Sequence, residues 1–180
     1  MHELYFLRTS HSSGTTIYNG DHSSKTAIAT IIWIIAPATF NHTKGSSVDR
    51  AEAQANLVGC YATVPTMFHD ADMSLNLDGI KRHVEFLVDG GLKCGNATLL
   101  AGGGAGDFST MSLEERIQVA QAVVAAAAGR IPVAMGAQTT STRELIQLAQ
   151  AAADLGAQYI QVSPPFYFNT TEGDFYEYVS

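Results

Sequence analysis

The stretch Ala97-Thr-Leu-Leu-Ala-Gly-Gly-Gly-Ala-Gly-Asp-Phe108 decides the fold class of this chain, and Ser109-Thr-Met-Ser-Leu-Glu-Glu-Arg116 follows it. An apolar run leads into glycines, then an acidic residue, then a helix start. Ser112 and Glu115 have the spacing of a capping box, in which each side chain accepts a backbone amide of the other residue. The stretch therefore predicts a buried strand, a glycine-rich turn and a helix. Amides exposed at the carboxyl end of a strand can bind a carboxylate or a phosphate.

This unit recurs along the chain. Apolar runs predict four strands, at residues 57–64, 97–101, 131–135 and 158–162. Amphipathic helices are predicted between them, with one face formed by Ile80, Val84, Leu87 and Val88, a second by Leu113, Ile117, Ala120 and Val124, and a third by Leu145, Leu148, Ala152 and Leu155. Gly90, Gly129 and Gly156 are predicted to end these helices. The third helix is expected to begin with a second capping box, Ser141 to Glu144, and a fourth helix is expected at 172–180.

Strands and helices that alternate every thirty residues or so are typical of a parallel α/β sheet. The strands are almost continuously apolar, as strands covered on both faces are. An open doubly wound sheet and a (β/α) barrel both fit this pattern. Both place their chemistry in the loops after the strands. These loops are residues 66–72, 102–110, 136–141 and 163–171.

Composition narrows the class of protein. The chain has 180 residues, 46% of them hydrophobic and 15% charged, which suits one globular domain or part of a larger one. Its net charge of −7 argues against a nucleic-acid partner. Cys60 and Cys94 have neither disulfide-framework nor zinc-site spacing, so we expect a reducing, cytoplasmic location.

Residues 1–56 differ from the rest, being rich in Ser, Thr, Asn and His, and are predicted to form a poorly structured extension before a domain at 57–180. Their one apolar segment, 26–38, is shorter than the roughly 20 residues that cross a bilayer, so no membrane partner is expected. Ala36-Pro37-Ala38 is similar to a signal-peptidase site. An exported protein with a signal peptide at 1–38 is therefore the alternative to a cytoplasmic one.

Several stretches in the same order resemble the dihydrodipicolinate synthase / N-acetylneuraminate lyase family. They are Ala62-Thr-Val-Pro-Thr-Met-Phe68, Leu77-Asp-Gly-Ile80, Gly103-Gly-Ala-Gly-Asp-Phe108, Ser112-Leu-Glu-Glu-Arg116, Gly129-Arg-Ile-Pro-Val133, Ser141-Thr-Arg-Glu144 and Pro164-Pro-Phe-Tyr167. The resemblance implies a (β/α)₈ barrel of the TIM type, here its N-terminal half of about four βα units. It also implies a lyase, an aldolase or dehydratase that forms a Schiff base between a lysine and pyruvate or a related 2-oxo acid. No metal and no organic cofactor are implied.

The resemblance places substrate binding at Gly103, Gly104, Ala105, Gly106 and Asp107, whose amides would hold the substrate carboxylate. The family's usual sequence here is Gly-Thr-Thr-Gly-Glu, so both hydroxyls are absent. Glycine at position 104 is similar to the sugar-acid dehydratase branch of the family. Asp107 has two interpretations. It could act as a catalytic acid or base, or its carboxylate could accept amide hydrogen bonds ahead of the helix.

The family's Schiff-base lysine lies on the sixth strand, whereas the pattern in this chain reaches the fourth. The lysines present are Lys25, Lys44, Lys81 and Lys93, and none is predicted at the carboxyl end of a strand. An imine-forming amine needs a desolvated position that lowers its pKa. We therefore predict that these 180 residues are inactive alone.

Other residues have two interpretations each. Tyr167 aligns with a family tyrosine that enters a neighbouring subunit's proton relay, or it packs in an interface patch formed by residues 166–168. His69-Asp70-Ala71-Asp72 has metal-ligand residue types but is better explained as a turn. His83 is expected at the surface or the edge of the core. Thr139, Thr140 and Ser141 could touch substrate, although Ser141 is better explained as a helix cap.

Two rival hypotheses remain. Four βα units would leave the first and fourth strands as unpaired edges, so the chain could be a non-catalytic half-barrel that assembles with itself or with a complementary chain. We expect a homo-oligomer if the chain folds. A truncated gene product without a stable fold is the other alternative.

Overall fold

In a computed structural model of the chain, the structure describes residues 54–167 and 169–179, together with the backbone of three short strands before residue 54. In chain order the elements are β1 (Phe6–Arg8), β2 (Thr16–Ile17), β3 (Ile31–Ile34), β4 (Cys60–Val64), α1 (Leu77–Asp89), β5 (Ala97–Ala101), α2 (Leu113–Ala127), β6 (Val133–Gly136), α3 (Thr142–Leu155), β7 (Tyr159–Val162) and α4 (Glu172–Val179). No helix in these described residues combines the length and apolar character that a bilayer span requires.

Strands β4 to β7 form a parallel sheet in which the order in space is the order in the chain. Val64 pairs with Ala101, and Ala101 pairs with Met135, so the carboxyl ends of neighbouring strands lie level. A doubly wound sheet would reverse its strand order at a switch point, whereas a barrel adds strands in one direction. The prediction of four βα units of a barrel is confirmed, and the doubly wound alternative is not.

The expectation that both outer strands are unpaired is wrong for the fourth. Strand β3, from the apolar segment of the N-terminal region, pairs antiparallel with β7, with Ile31 opposite Val162 and Ile34 opposite Tyr159. An apolar run of this length can satisfy its own backbone by adding to a sheet edge. Among the described strands, β4 is therefore the parallel strand with a neighbour on one side only. The boundary between an extension at 1–56 and a domain at 57–180 stays a prediction.

Three strands begin later than predicted, the fourth by a single residue, at Tyr159. The first begins at Cys60 rather than 57, because Gly59 has a φ of +81° and its Cα lies against the carbonyl of Asn96, where a Cβ would come within 2.0 Å of the oxygen. The third begins at Val133, because the ring nitrogen of Pro132 cannot donate to a neighbouring strand. The Pro132 carbonyl still accepts a hydrogen bond from the Leu99 amide, at 2.9 Å.

Helix α2 buries a different face from the predicted one. Leu113, Ile117 and Val124 are only half-buried, and the deepest positions are Arg116, Val119, Ala120, Ala122, Val123, Ala126 and Ala127. Glu114, Gln118 and Gln121 share the exposed face of α2, but apolar residues cover the rest of the helix, so hydrophobicity alone does not decide which part of that wide apolar surface is buried most deeply. Small alanines let the helix backbone approach its neighbours closely, which decides the orientation. Helices α1 and α3 bury the predicted positions Ile80, Val84, Leu145, Leu148 and Ala152.

Candidate functional site

The glycine-rich turn begins where β5 ends. Gly102 takes a φ of +63°, which turns the chain out of the sheet without the steric cost that a side chain would bring. Gly103 is extended and has the Leu100 side chain so close to its Cα that a Cβ would meet it at 2.2 Å. A 3₁₀ turn, Gly104–Gly106, follows. Both glycines at 102 and 103 are therefore required by the local backbone and packing.

Two residues of this turn lie at the surface. Gly104 and Ala105 are exposed, while Gly103 and Gly106 are buried. The Gly106 amide donates to the Gly103 carbonyl at 2.9 Å, which closes the turn. The N–H groups of Gly104 and Ala105 belong to the first residues of the turn, which cannot bond within it. The turn thus leaves two main-chain donors outside its own hydrogen bonding, in exposed residues at the carboxyl end of β5.

Thr66 fixes the turn to the neighbouring strand. Its hydroxyl donates to the Gly106 carbonyl at 2.6 Å, in a buried position just after β4 ends at Val64. Gly106 lies so close to β4 that a Cβ there would come 3.1 Å from the Val64 carbonyl oxygen. The donors are therefore held by a rigid contact between two strand ends rather than by a free loop.

Asp107 has a different local role from the one its position suggested. The residue is exposed with a φ of +55°, and its side chain makes no capping hydrogen bond to either flanking turn in the described part of the chain. Its carbonyl accepts from the Thr110 amide at 3.0 Å and the Thr110 hydroxyl at 2.9 Å. The expected amide hydrogen bonds to the Asp107 carboxylate ahead of the helix are not found at the turn Phe108–Thr110 that this residue begins. The next helix begins with the predicted capping box of Ser112 and Glu115.

Arg116 is a site residue that sequence reasoning missed. It is buried, its Nη2 donates to the Gly136 carbonyl at 3.0 Å, and its guanidinium lies 5.4 Å from the centre of the Phe108 ring. Burial lowers the pKa of the guanidinium, and the nearby Glu144 carboxylate opposes that shift. An arginine in the acidic first turn of a helix is expected at the surface. The sequence pattern therefore does not predict that Arg116 is buried.

The carboxyl ends of β5 and β6 touch through their glycines. A Cβ at Gly136 would lie 2.0 Å from the Gly102 carbonyl oxygen and 2.7 Å from Oε1 of Gln138. Gln138 is buried, and its Oε1 finds no hydrogen-bond partner among the described residues. Gln138 could not be predicted as a site residue, because a lone glutamine in a loop has no distinguishing sequence pattern.

The residues after β6 that were considered for substrate contact make structural hydrogen bonds. The Thr139 hydroxyl donates to Glu144 at 2.7 Å and accepts from the Ser141 amide at 3.1 Å, while the Thr139 carbonyl accepts from the Tyr178 hydroxyl at 2.8 Å. The capping box predicted for Ser141 and Glu144 is wrong in one half. Ser141 accepts from the Glu144 amide at 3.4 Å, but the Glu144 carboxylate binds Thr139 instead. Thr140 is exposed.

Aromatic residues flank the turn on the β7 side. Phe166 contacts Phe108 edge to face, with ring centres 6.0 Å apart, and both Phe166 and Tyr167 are largely exposed. Phe168, the third residue of the predicted patch, lies outside the described residues. The role of Tyr167 in a relay stays a prediction.

The remaining candidates make local contacts of their own. Asp72 accepts from the Ser74 amide at 3.0 Å and the Ser74 hydroxyl at 2.7 Å, which lower the pKa of that carboxyl and make the segment 69–72 part of a turn. His83 stacks on Phe86 on α1. Lys81 lies on α1, where it pairs with Asp78 at 3.7 Å, and Lys93 precedes β5, so both lie away from strand carboxyl ends. Lys25 and Lys44 lie outside the described residues.

This chain is similar in sequence to several curated proteins. A 4-hydroxy-tetrahydrodipicolinate synthase from Cellvibrio japonicus is 36% identical over 125 residues, covering 68% of this chain and 41% of that protein. A trans-O-hydroxybenzylidenepyruvate hydratase-aldolase from Sphingobium xenophagum is 32% identical, covering 61% of this chain and 34% of that protein. The chain thus spans about two fifths of the length of the synthase it matches.

Solved structures agree with the sequence relatives. YagE, a prophage protein of the dihydrodipicolinic acid synthase family from E. coli K12, in complex with pyruvate, superposes with a TM-score of 0.61 at 31% identity, covering 67% of this chain and 39% of that one. A dihydrodipicolinate synthase from Oceanobacillus iheyensis gives a TM-score of 0.66 at 25% identity, covering 73% and 42%. The family model described as the dihydrodipicolinate synthetase family matches residues 56–180. The chain belongs to the dihydrodipicolinate synthetase family.

Proposed function

We propose that this chain supplies the carboxylate-binding part of a Schiff-base lyase site that acts on pyruvate or a related 2-oxo acid. The observation that carries the proposal is the pair of exposed main-chain donors at Gly104 and Ala105, at the end of β5. Thr66 and the buried glycines hold those donors in place, so they need no rearrangement to meet an anion. The solved relative YagE carries pyruvate, which supports a 2-oxo acid as the ligand.

Binding in this proposal relies on the main chain. Gly104 has no side chain and open space where a Cβ would be, so no hydroxyl at this position can pass a proton. The substrate-binding residues are Gly103, Gly104, Ala105, Gly106 and Asp107, with Asp107 exposed beside the turn. Tyr167, exposed on the loop after β7, is proposed as a relay residue offered to a neighbouring subunit of a cytoplasmic homo-oligomer.

The imine-forming amine is proposed to come from outside these residues. Lys81 and Lys93 are exposed, and neither lies after a strand. A lysine that forms an imine needs a desolvated position, which neither of these exposed side chains has. The site on this chain can therefore orient a 2-oxo acid, while the covalent chemistry depends on another segment or chain.

Two variants of Gly104 test the carboxylate site. Gly104→Pro removes one N–H donor at the first position of the turn, where proline fits because Gly103 is extended and nothing lies within 4 Å of the added Cβ. Gly104→Ala keeps the donor and is the matched control. We expect the proline variant to weaken pyruvate binding about tenfold, from one charge-assisted hydrogen bond, with the alanine variant within about twofold of wild type. Equal affinity in all three chains would refute the site.

Borohydride trapping tests the proposed origin of the amine. The 180-residue chain is mixed with pyruvate and sodium borohydride, and its intact mass is measured. We expect no covalent adduct, because Lys81 and Lys93, the lysines in the described part of the chain, do not follow the carboxyl end of a strand. A mass shift localised to a lysine of this chain would overturn that part of the proposal.

A second candidate function is assembly without catalysis. The outer edge of β4 is unpaired among the described strands, and such an edge can pair with another chain. Sedimentation of the full chain tests this hypothesis, since a stable monomer at high concentration would count against it. A protease-resistant core starting near residue 57 would exclude a truncated product that has no stable fold.

A further inference from the structure

The two outer edges of the parallel sheet differ. On one side, the outer edge of β4 has no neighbour among the described strands, whereas on the other side the sheet continues from β7 through β3, β1 and β2. The last of these, Thr16–Ile17, has two residues. A very short terminal strand offers few free backbone groups to another chain. The N-terminal strands therefore cover the edge of β7, while the edge of β4 stays open.

Strand β3 covers β7 in the direction that a barrel does not use. Strands β4 to β7 run parallel to one another, and β3 runs antiparallel to β7. A (β/α) barrel grows by adding parallel strands, so β3 occupies the position that the next parallel strand of a barrel would take. Strand β3 and such a parallel strand therefore compete for the same backbone groups of β7.

The sequence of β3 fixes its position only weakly. The strand is Ile31-Ile-Trp-Ile34, so both of its faces are apolar. The register of a strand is specified by alternation between apolar and polar residues, which β3 lacks. Its contact with β7 is also short, running from Ile31 opposite Val162 to Ile34 opposite Tyr159. A strand held in this way can be displaced by a competing strand.

A second copy of this chain has an edge that fits β7. The outer edge of its β4 is free among the described strands, and four strands from each of two copies give the eight with which a (β/α) barrel closes. The sheet is already curled, because the Tyr61 hydroxyl of β4 reaches Oε1 of Gln161 on β7, at 3.4 Å. Two such arcs can complete a ring in which each β7 pairs with the β4 of the other copy.

We propose that β3 is an exchangeable cover of β7, which a second copy displaces through the outer edge of its β4, so that two chains close an eight-stranded ring. This inference rests on the second candidate function, assembly, and names its partner and the contact that opposes it. Strand β3 belongs to the same chain as β7, which gives it a high effective concentration there. The second copy therefore displaces β3 only when the protein is concentrated.

Proline at either of two adjacent positions separates the contacts of β3. The Gln161 carbonyl accepts from β6, so the next residue in the strand, Ile160, directs its main-chain groups to the other side, toward β3. Trp33 lies opposite Ile160, whereas Ile32 lies opposite a residue of β1. Trp33→Pro therefore removes a donor to β7, while Ile32→Pro, the matched control, removes a donor to β1.

Sedimentation of the full chain over a range of concentrations measures the exchange. We expect the wild-type chain and Ile32→Pro to form dimers only at high concentration. Trp33→Pro should form them at a concentration at least about tenfold lower, because its β3 has lost part of its hold on β7. Dimers that form at the same concentration in all three chains would overturn the inference and leave assembly standing.

A second variant tests which strand replaces β3. The Cys60 amide donates to the Asn96 carbonyl on the β5 side, so by alternation the Thr63 amide points to the open edge of β4. Thr63→Pro removes that donor without removing a bond to β5. Added to Trp33→Pro, it should abolish the dimer. A dimer that persists would overturn the inference, because a strand other than β4 would then fill the edge of β7.

Amide exchange in the wild-type chain needs no variant. As dimers form, the Trp33 amide should lose protection by at least about tenfold while the Ile160 amide keeps it, because β4 of the second copy replaces β3. Residues 97–101 should stay protected throughout, since the parallel sheet is intact in both states. Unchanged protection at Trp33 in the dimer would overturn the inference. Monomers at every concentration in every chain would instead refute assembly, and the inference with it.

Discussion

The guanidinium of Arg116 on α2 donates to the carbonyl oxygen of Gly136 at the end of β6, at 3.0 Å and out of contact with solvent. The same guanidinium lies against the Phe108 ring, so one side chain joins the glycine-rich turn, a helix and the neighbouring strand. This contact explains how two loops from different βα units keep a fixed spacing.

Replacing Arg116 should destabilise the fold. Arg116→Met keeps much of the apolar packing but leaves the buried Gly136 carbonyl without its donor, so we expect a loss of about 2–3 kcal/mol in the free energy of unfolding. Urea denaturation measures it. Arg143→Met, at an exposed position on α3, is the control and should change stability by less than about 0.5 kcal/mol. Similar values for the two variants would show that the Arg116 contact contributes little.

A methyl group at Gly136 should disrupt the site. Gly136→Ala places a Cβ 2.0 Å from the Gly102 carbonyl oxygen, a backbone atom that cannot move without shifting β5. We expect a loss of at least about 1–3 kcal/mol, or failure to fold. Gly104→Ala adds the same methyl group in open space and should be close to neutral. Thermal unfolding of the two variants checks the prediction, and an unchanged midpoint for Gly136→Ala would contradict the close approach of the two strands.

The two helix caps should differ in strength. Ser112 takes part in a reciprocal capping box, in which the Glu115 carboxylate accepts from the Ser112 amide at 2.8 Å. Ser141 has one longer bond, at 3.4 Å. Ser112→Ala should therefore cost about 1 kcal/mol and Ser141→Ala clearly less. Denaturant unfolding of both variants measures the two losses in the free energy of unfolding. A larger loss for Ser141→Ala would show that Ser141 is the stronger cap.

The start of α4 should depend on pH through Asp174. Its carboxylate accepts from the Thr171 amide at 2.8 Å and the Thr171 hydroxyl at 2.7 Å, which lowers the pKa of this carboxyl below its ordinary value of about 4. A depressed carboxyl pKa stabilises the folded state above the unfolded value, and this stabilisation is lost as the pH falls through the folded value.

Amide exchange across 172–179, measured from about pH 6 to about pH 3, checks this prediction. In wild type, protection of α4 should fall below about pH 4. Asp174→Asn should remove that pH dependence from the first turn. An identical profile in both chains would show that the Thr171–Asp174 bonds do not stabilise the helix.

Much of the fold follows from the sequence because local rules decide it. The apolar run 97–101, the capping pair at Ser112 and the stop at Gly156 each depend on near neighbours in the chain, and the structure places all three as predicted. The strict strand order, which selects a barrel over a doubly wound sheet, depends on long-range pairing that no local pattern encodes. The pairing of β3 with β7 was missed for the same reason.

Only the main-chain part of the site could be predicted from the sequence. The glycines after β5 signalled a turn with free amides, and Gly104 and Ala105 are exposed there. Arg116 and Gln138 were missed, because a charged residue on a helix and an amide in a loop look solvated in sequence. Their burial arises only when the ends of β5 and β6 meet.

The most direct test of the carboxylate site is a titration of the ¹⁵N-labelled chain with pyruvate and, separately, with pyruvamide, which has the same shape and no charge. The account predicts saturable shifts of the Gly104 and Ala105 amide resonances with pyruvate and none with pyruvamide. Shifts that are equal for the two ligands, or that occur elsewhere while these two amides stay unchanged, would contradict it.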